Sequence, residues 1–215
     1  MSSTAQYANS PRVGIANIST ANTNRDGTGT IVAAFVAGSS GSRIDKVVIE
    51  ATSTTTAGMV RLFITKGKAG VTISTITFVG TTATVTTAAA HGLSTGNKIT
   101  VQGAFPDDYN VTDVAVTVTG ATTFTYTMST TPTLNASTVG AYSSTPSTPV
   151  SNLWREITVS AATPSGTVSA FTNTASSTNT ADAGYLPLVL PPGWSLRAAP
   201  NNAEAFNVLV SGGDF

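Results

Sequence analysis

GMVRLFITKG, residues 58–67, and NLWREITVS, residues 152–160, carry the reading of this fold. In the first run, Val60, Leu62 and Ile64 fall on one side of an extended chain, with Arg61 and Thr65 on the other. In the second, Leu153, Ile157 and Val159 share a side with Arg155, and Trp154, Glu156 and Thr158 take the opposite one. Side chains alternate across a strand, so an apolar row of period two predicts a half-buried β-strand. The two runs are read as neighbours in one sheet, parted in sequence by a domain spliced between them.

The intervening sequence has a different texture. It consists of short alternating Thr/Val segments, with strands expected at Val71–Val79, Ala83–Thr87, Lys98–Gln102, Val114–Thr119, Thr123–Met128 and Ser137–Tyr142. Short strands at this spacing, with turns between, predict a small sandwich or barrel. It leaves through SSTPSTPVS, residues 143–151, a Ser/Thr/Pro linker of the kind found where a domain enters a surface loop. Residues 71–148 are assigned to the insert, and 1–70 with 149–215 to a discontinuous host. Lys98 against Asp107, Asp108 and Asp113 gives the insert a negative balance and the host a positive one.

Outside the insert, further strands are expected at Val13–Thr20, Ile31–Ala37, Ser42–Ala51, Val168–Thr172, Leu186–Leu190, Trp194–Ala198 and Ala205–Val210. With the opening pair, about eight or nine strands remain, which suits a two-sheet antiparallel sandwich of jelly-roll type. No window holds a helical apolar period free of β-branched or Gly interruption. The expected fold is all-β: a jelly-roll-like sandwich carrying a small inserted β-domain. Residues 1–12 read as a polar segment, either a frayed terminus or an arm that docks on a neighbouring subunit, with Gln6, Tyr7 and Arg12 as the contact residues of such an arm.

Composition agrees. Charged residues are 9% of the 215, hydrophobic ones 40%, and mean hydropathy is +0.17. That apolar content builds a core, so the shortage of charge does not signal disorder. Ten basic and ten acidic residues leave no net charge and no basic stripe, so nucleic acid is not an expected partner. Cysteine is absent, which excludes disulfides and thiolate metal sites. No apolar run is long enough for a membrane helix, and the N-terminus lacks the regions of a signal peptide.

Candidate sites are few. His91 is the lone histidine, in AAAHGLSTG, so a metal-binding imidazole pair is excluded; a His before Gly in a turn reads as a packing residue. Asp107, Asp108, Asn110 and Asp113 cluster, but without EF-hand spacing they read as turn chemistry. Trp154, Trp194 and Tyr185 could stack on a sugar; rings on a strand or after a tight turn more often close a core. The glutamates are Glu50, Glu156 and Glu204, and the first two sit in strands beside basic residues, as cross-strand pairs do. No catalytic, metal or cofactor-binding set is legible, and the chain reads as non-enzymatic with no cofactor.

The insert resembles an Ig-like module of tailed-bacteriophage virion proteins. The resemblance lies in TVTTAAAHGLSTGNKITVQGA (84–104), the Tyr109-Asn110-Val111-Thr112 turn and VTVTGATTFTYTM (116–128). His91, Gly92, Leu93, Gly96, Gly103, Tyr109, Asn110, Thr123, Phe124 and Tyr126 fill the motif's places; the glycine that usually follows Tyr-Asn is Val111 here. The host is similar to small phage structural proteins through RIDKVVIEATSTTTAGMVRLFI (43–64), LWREITV (153–159), LPPGWSLRA (190–198) and NAEAFNVLVSGGDF (202–215). The resemblance implies a virion protein made in the host cytoplasm, a capsid decoration (cement) or head-fibre protein. Expected partners are its own copies, as a trimer, and other virion proteins such as the major capsid protein. The alternative is a tail, baseplate or tail-fibre component whose insert binds host-surface glycans.

Overall fold

A computed structural model describes residues 10–182 and 184–215, so Gln6 and Tyr7 of the expected arm lie outside the described residues. Four strands come first: β1 (Ser10–Ile18), β2 (Val32–Val36), β3 (Ser42–Ala51) and β4 (Gly58–Thr65). Seven follow in the insert: β5 (Lys68–Ala69), β6 (Ile73–Val79), β7 (Thr82–Thr87), β8 (Lys98–Phe105), β9 (Val111–Val118), β10 (Thr123–Thr127) and β11 (Thr138–Thr145). Five complete the host: β12 (Ser151–Val159), β13 (Thr172–Ser176), β14 (Leu188–Leu190), β15 (Ser195–Pro200) and β16 (Phe206–Asp214). The helical turns are 3-10 turns at Asp107–Tyr109 and Thr180–Asp182.

The host pairs its strands as nested partners: β1 with β16, β2 with β15, β3 with β13 and β14, and β4 with β12. That is one long hairpin rolled into two sheets, ordered β1-β16-β3-β13 and β12-β4-β15-β2, which defines a jelly roll. The insert leaves from the tip of the hairpin, between β4 and β12. Thr65 and Ser151 face each other in register there, and their hydroxyls are 2.7 Å apart. Ser10, Asp214, Ser42 and Leu190 form a row across one sheet; Val36, Ser195, Thr65 and Ser151 form a row across the other. The β2–β3 connection joins the two rows, so the insertion point and the outer ends of β1 and β16 share one end of the sandwich.

The host core is mainly aliphatic, with Ile18, Ile44, Leu62, Leu196 and Val208 almost wholly buried alongside Phe206. Each such side chain contributes roughly 1.5–3 kcal/mol through burial. The outward face of the β4 sheet is also covered: Arg61, Phe63, Thr65 and Arg197 are buried. Part of the cover is the 21–30 segment, ANTNRDGTGT, whose Asn, Asp and Gly are turn-forming residues. Asn22 O accepts the Arg61 guanidinium at 2.9 Å, and Arg25 reaches Glu156 at 2.9 Å. Gly27, at φ +83°, lies so close to Ser151 O that a Cβ would sit 1.9 Å from it. No larger residue fits that crossing.

Several expectations are corrected. A bulge between Leu153 and Arg155 sets Leu153 opposite Phe63 and Arg155 opposite Leu62. Leu153 therefore lies on the other side from Ile157, and Trp154 packs against the host core. The extra bulge residue breaks the period-two pattern that the sequence displays. Ser10–Arg12 are the start of β1 and not part of an arm. The strand expected at Val168–Thr172 is Thr172–Ser176, a polar edge held by pairing with β3. The last strand runs on through Gly212 and Gly213 to Asp214.

By internal contacts, the chain divides into one unit that runs to Thr65 and resumes at Val150, and a second of Lys66–Pro149. Lys68–Ala69 pairs with Ser143 and Ser144 of β11, which places these residues in the insert. Lys66, Lys68 and Lys98 then balance Asp107, Asp108 and Asp113, so the negative balance expected of the insert disappears. Its seven strands form one antiparallel sheet, ordered β5-β11-β8-β9-β10-β7-β6. The sheet curls until β6 meets β11, enclosing a core of Ile76, Val85, Ile99, Tyr109, Phe124 and Tyr126.

Candidate functional site

The motif that marks the insert turns inward. His91 is buried, and its Nδ1 accepts the Leu93 N–H at 3.0 Å. Its Nε2 must then carry the proton, donated to Gly120 O at 3.0 Å. The ring also stands edge-on to Phe124, 5.3 Å between centroids. With both nitrogens hydrogen-bonded, His91 fastens two loops of the insert. A cleft of about 270 Å³ beside it is lined by Lys66, Lys68, Leu93, Asn97 and Thr145.

The remaining motif residues have similar tasks. Tyr109 is fully buried and donates its hydroxyl to Leu134 O at 2.9 Å. Tyr126 donates to Tyr109 O at 2.7 Å. Burial pushes both phenols above the usual tyrosine range, with Asp108 adding to Tyr109 and Tyr109 to Tyr126. Asn110 accepts from Ala104 N at 2.9 Å and donates to Ala104 O at 3.0 Å, fixing the turn that Val111 follows. Gly96 and Gly103 adopt φ +91° and +72°, the left-handed region that a Cβ disfavours. Leu93 packs on the core, and Gly92 stands clear of neighbours. The motif residues are thus engaged in the insert's own packing and turns.

The acidic cluster does not converge. Asp113 pairs with Lys98 at 3.2 Å, and Asp108 accepts the Thr130 hydroxyl. Among the described residues, no group of three or more His, Asp or Glu is placed to hold a metal ion.

Charged groups of the host serve its own closure. Arg12 meets Asp214 at 3.0 Å, donates to Val36 O at 3.1 Å and lies 5.0 Å from the Phe35 ring centre. The Ser42 hydroxyl reaches the same carboxylate, and Gly38 N donates to Ser42 Oγ at 3.0 Å. Glu156 bridges Arg25 and Arg61, and these hydrogen bonds hold its carboxyl below the usual range against a smaller opposing effect of burial. Burial would raise Asp182, but Arg155 at 2.7 Å and the Ser176 N–H hold it down. Arg155 also stacks 4.7 Å from the Tyr185 ring centre, and Trp154 meets that ring edge-on. Trp154 and Trp194 pack on the host core, while Tyr185 is half exposed. The cross-strand role read for Glu156 holds, since Arg61 is its register partner.

What the sequence reading misses is the end of the insert formed by the β6–β7 hairpin, the 105–110 turn and the 128–137 loop. Single apolar residues at strand ends or in a loop do not show from sequence which way they point. A scan of protein-family models, a search of curated proteins and a search of solved structures each found no significant match to this chain.

Proposed function

We propose that this chain is a structural protein of a tailed-phage virion, a capsid decoration or head-fibre protein acting without catalysis. In this reading the jelly-roll host binds the shell, as a trimer with its own copies, and the insert is presented outward. The carrying observation is the splice: a module with its own core is inserted in sequence at the hairpin tip of a sandwich whose strands stay paired up to Thr65 and Ser151. That arrangement separates gripping from display. The sequence motifs add the particle to which the resemblance points. A tail or baseplate component that touches the host surface is a second reading, favoured by exposed apolar side chains at one end of the insert.

The test is to add purified protein to empty capsids and to tails, and to image both. Density in a regular pattern on the shell supports decoration. Labelling confined to tails supports the second reading, and labelling of neither rejects both.

A further inference from the structure

Three large apolar side chains of the insert stand in solvent: Val79 is 83% exposed, Leu134 67% and Phe105 60%. All three lie at one end. Strand β8 starts at Lys98, opposite Thr145, and ends at Phe105, opposite Thr138. Seven residue steps put Phe105 about 23 Å from the connecting segments. Val79 opens the β6–β7 hairpin, whose Thr81 O accepts the Met128 N–H at 2.8 Å. The loop bearing Leu134 returns through Ala136 N to Ile76 O and Ser137 N to Phe105 O. Beneath them, Phe78 and Tyr109 pack edge-to-face at 6.3 Å, and the Tyr109 hydroxyl holds Leu134 O. The exposed residues thus sit on a fixed base.

The charge at this end has one sign. Asp107 and Asp108 follow Phe105 in the 3-10 turn, and neither joins an ion pair among the described residues. Lys98 is held by Asp113, and Lys66 and Lys68 lie at the opposite end. We propose that this end of the insert is a docking surface for a protein partner whose contact patch is apolar and basic. Apolar area held rigidly in water marks an interaction site, and complementary charge selects the partner. A second copy fits badly, because a self-complementary contact would set Asp107 and Asp108 against their own equivalents. The assignment holds for a head or a tail protein and does not depend on that choice.

The test uses the whole protein and three short immobilised peptide probes, Leu/Lys, Leu/Ser and Leu/Glu. The Leu/Lys probe is expected to bind, more weakly as salt rises. Phe105→Ser with Leu134→Ser should weaken it by about tenfold or more, and Asp107→Asn with Asp108→Asn should do the same. Val13→Ser with Ile15→Ser, exposed positions on β1, should leave binding unchanged. Melting temperature should stay constant in all three variants, since every altered side chain except Asp108 is largely in solvent. Equal binding of the Leu/Ser probe, undiminished binding by the Phe105/Leu134 variant, or self-association removed by the same substitutions would overturn the assignment.

Discussion

The host sandwich and its insert solve the same problem with different chemistry. The host core is built largely from Ile, Leu, Val and Ala, and its ion pairs Arg12–Asp214, Arg25–Glu156, Arg61–Glu156 and Arg155–Asp182 tie down its edges and straps. The insert centres on rings: Phe124 touches both His91 and Tyr142, and Phe78 meets Tyr109. Its hydroxyls and imidazole bond backbone carbonyls, and Lys98 pairs with Asp113. A small domain with little area to bury gains from large rings, each removing more surface from water than an aliphatic side chain does. A sandwich with long connections gains from charges that hold those connections down.

The strongest way to break this comparison is to remove one partner. Excising Lys66–Pro149 and joining Thr65 to Val150 with a short Gly/Ser loop should leave a folded β-protein that melts cooperatively. A protease-sensitive chain without strand signal in circular dichroism would show that the host needs the insert. Next in size, Phe124→Ala should cost about 3–5 kcal/mol and act on the insert. Calorimetry should show one transition lowered and the other unmoved; a uniform shift would make the two cores one cooperative system.

Glu156→Gln should cost the host about 1–2 kcal/mol, because Arg61 stays buried with its charge unmatched. Glu156 is partly exposed, which keeps the figure below that for a fully buried pair. Urea titration monitored by tryptophan fluorescence reads this directly, since both tryptophans are in the host. The smallest effect is acid. Glu156 and Asp182 have folded pKa values below their unfolded ones, so their contribution is complete above the ordinary carboxylate range. It is lost as pH falls from about 4 downward through the folded values. The host transition should therefore hold down to about pH 4 and drop below it, and Glu156→Gln should drop less over the same interval. Equal pH sensitivity in both proteins would remove Glu156 from the account.

How much was legible follows from what each feature depends on. GMVRLFI carries its own period and IDKVVIE is a β-branched apolar run, so β4 and β3 are readable without any partner. The splice was readable because composition changes along the chain. The Trp154 bulge was not, because one extra residue against β4 is a property of the pair. Strand β13, TNTAS, has no apolar row and is a strand only because β3 offers it hydrogen bonds. Gly27 looked like turn punctuation, and its role depends on Ser151, remote in sequence. At the candidate surface, Phe105, Val79 and Leu134 come from three separate connections, and only folding brings them to one end.

The Thr65–Ser151 clasp has a consequence for descent and for engineering. Strand pairing runs up to that rung, so the ends of whatever departs there are already side by side. Closing a longer loop at such a rung costs only about 0.6 kcal/mol for each doubling of its length. The rung is therefore a socket: cargo can be swapped, lengthened or dropped there with little effect on the sandwich that carries it, and new specificities can be acquired as whole modules.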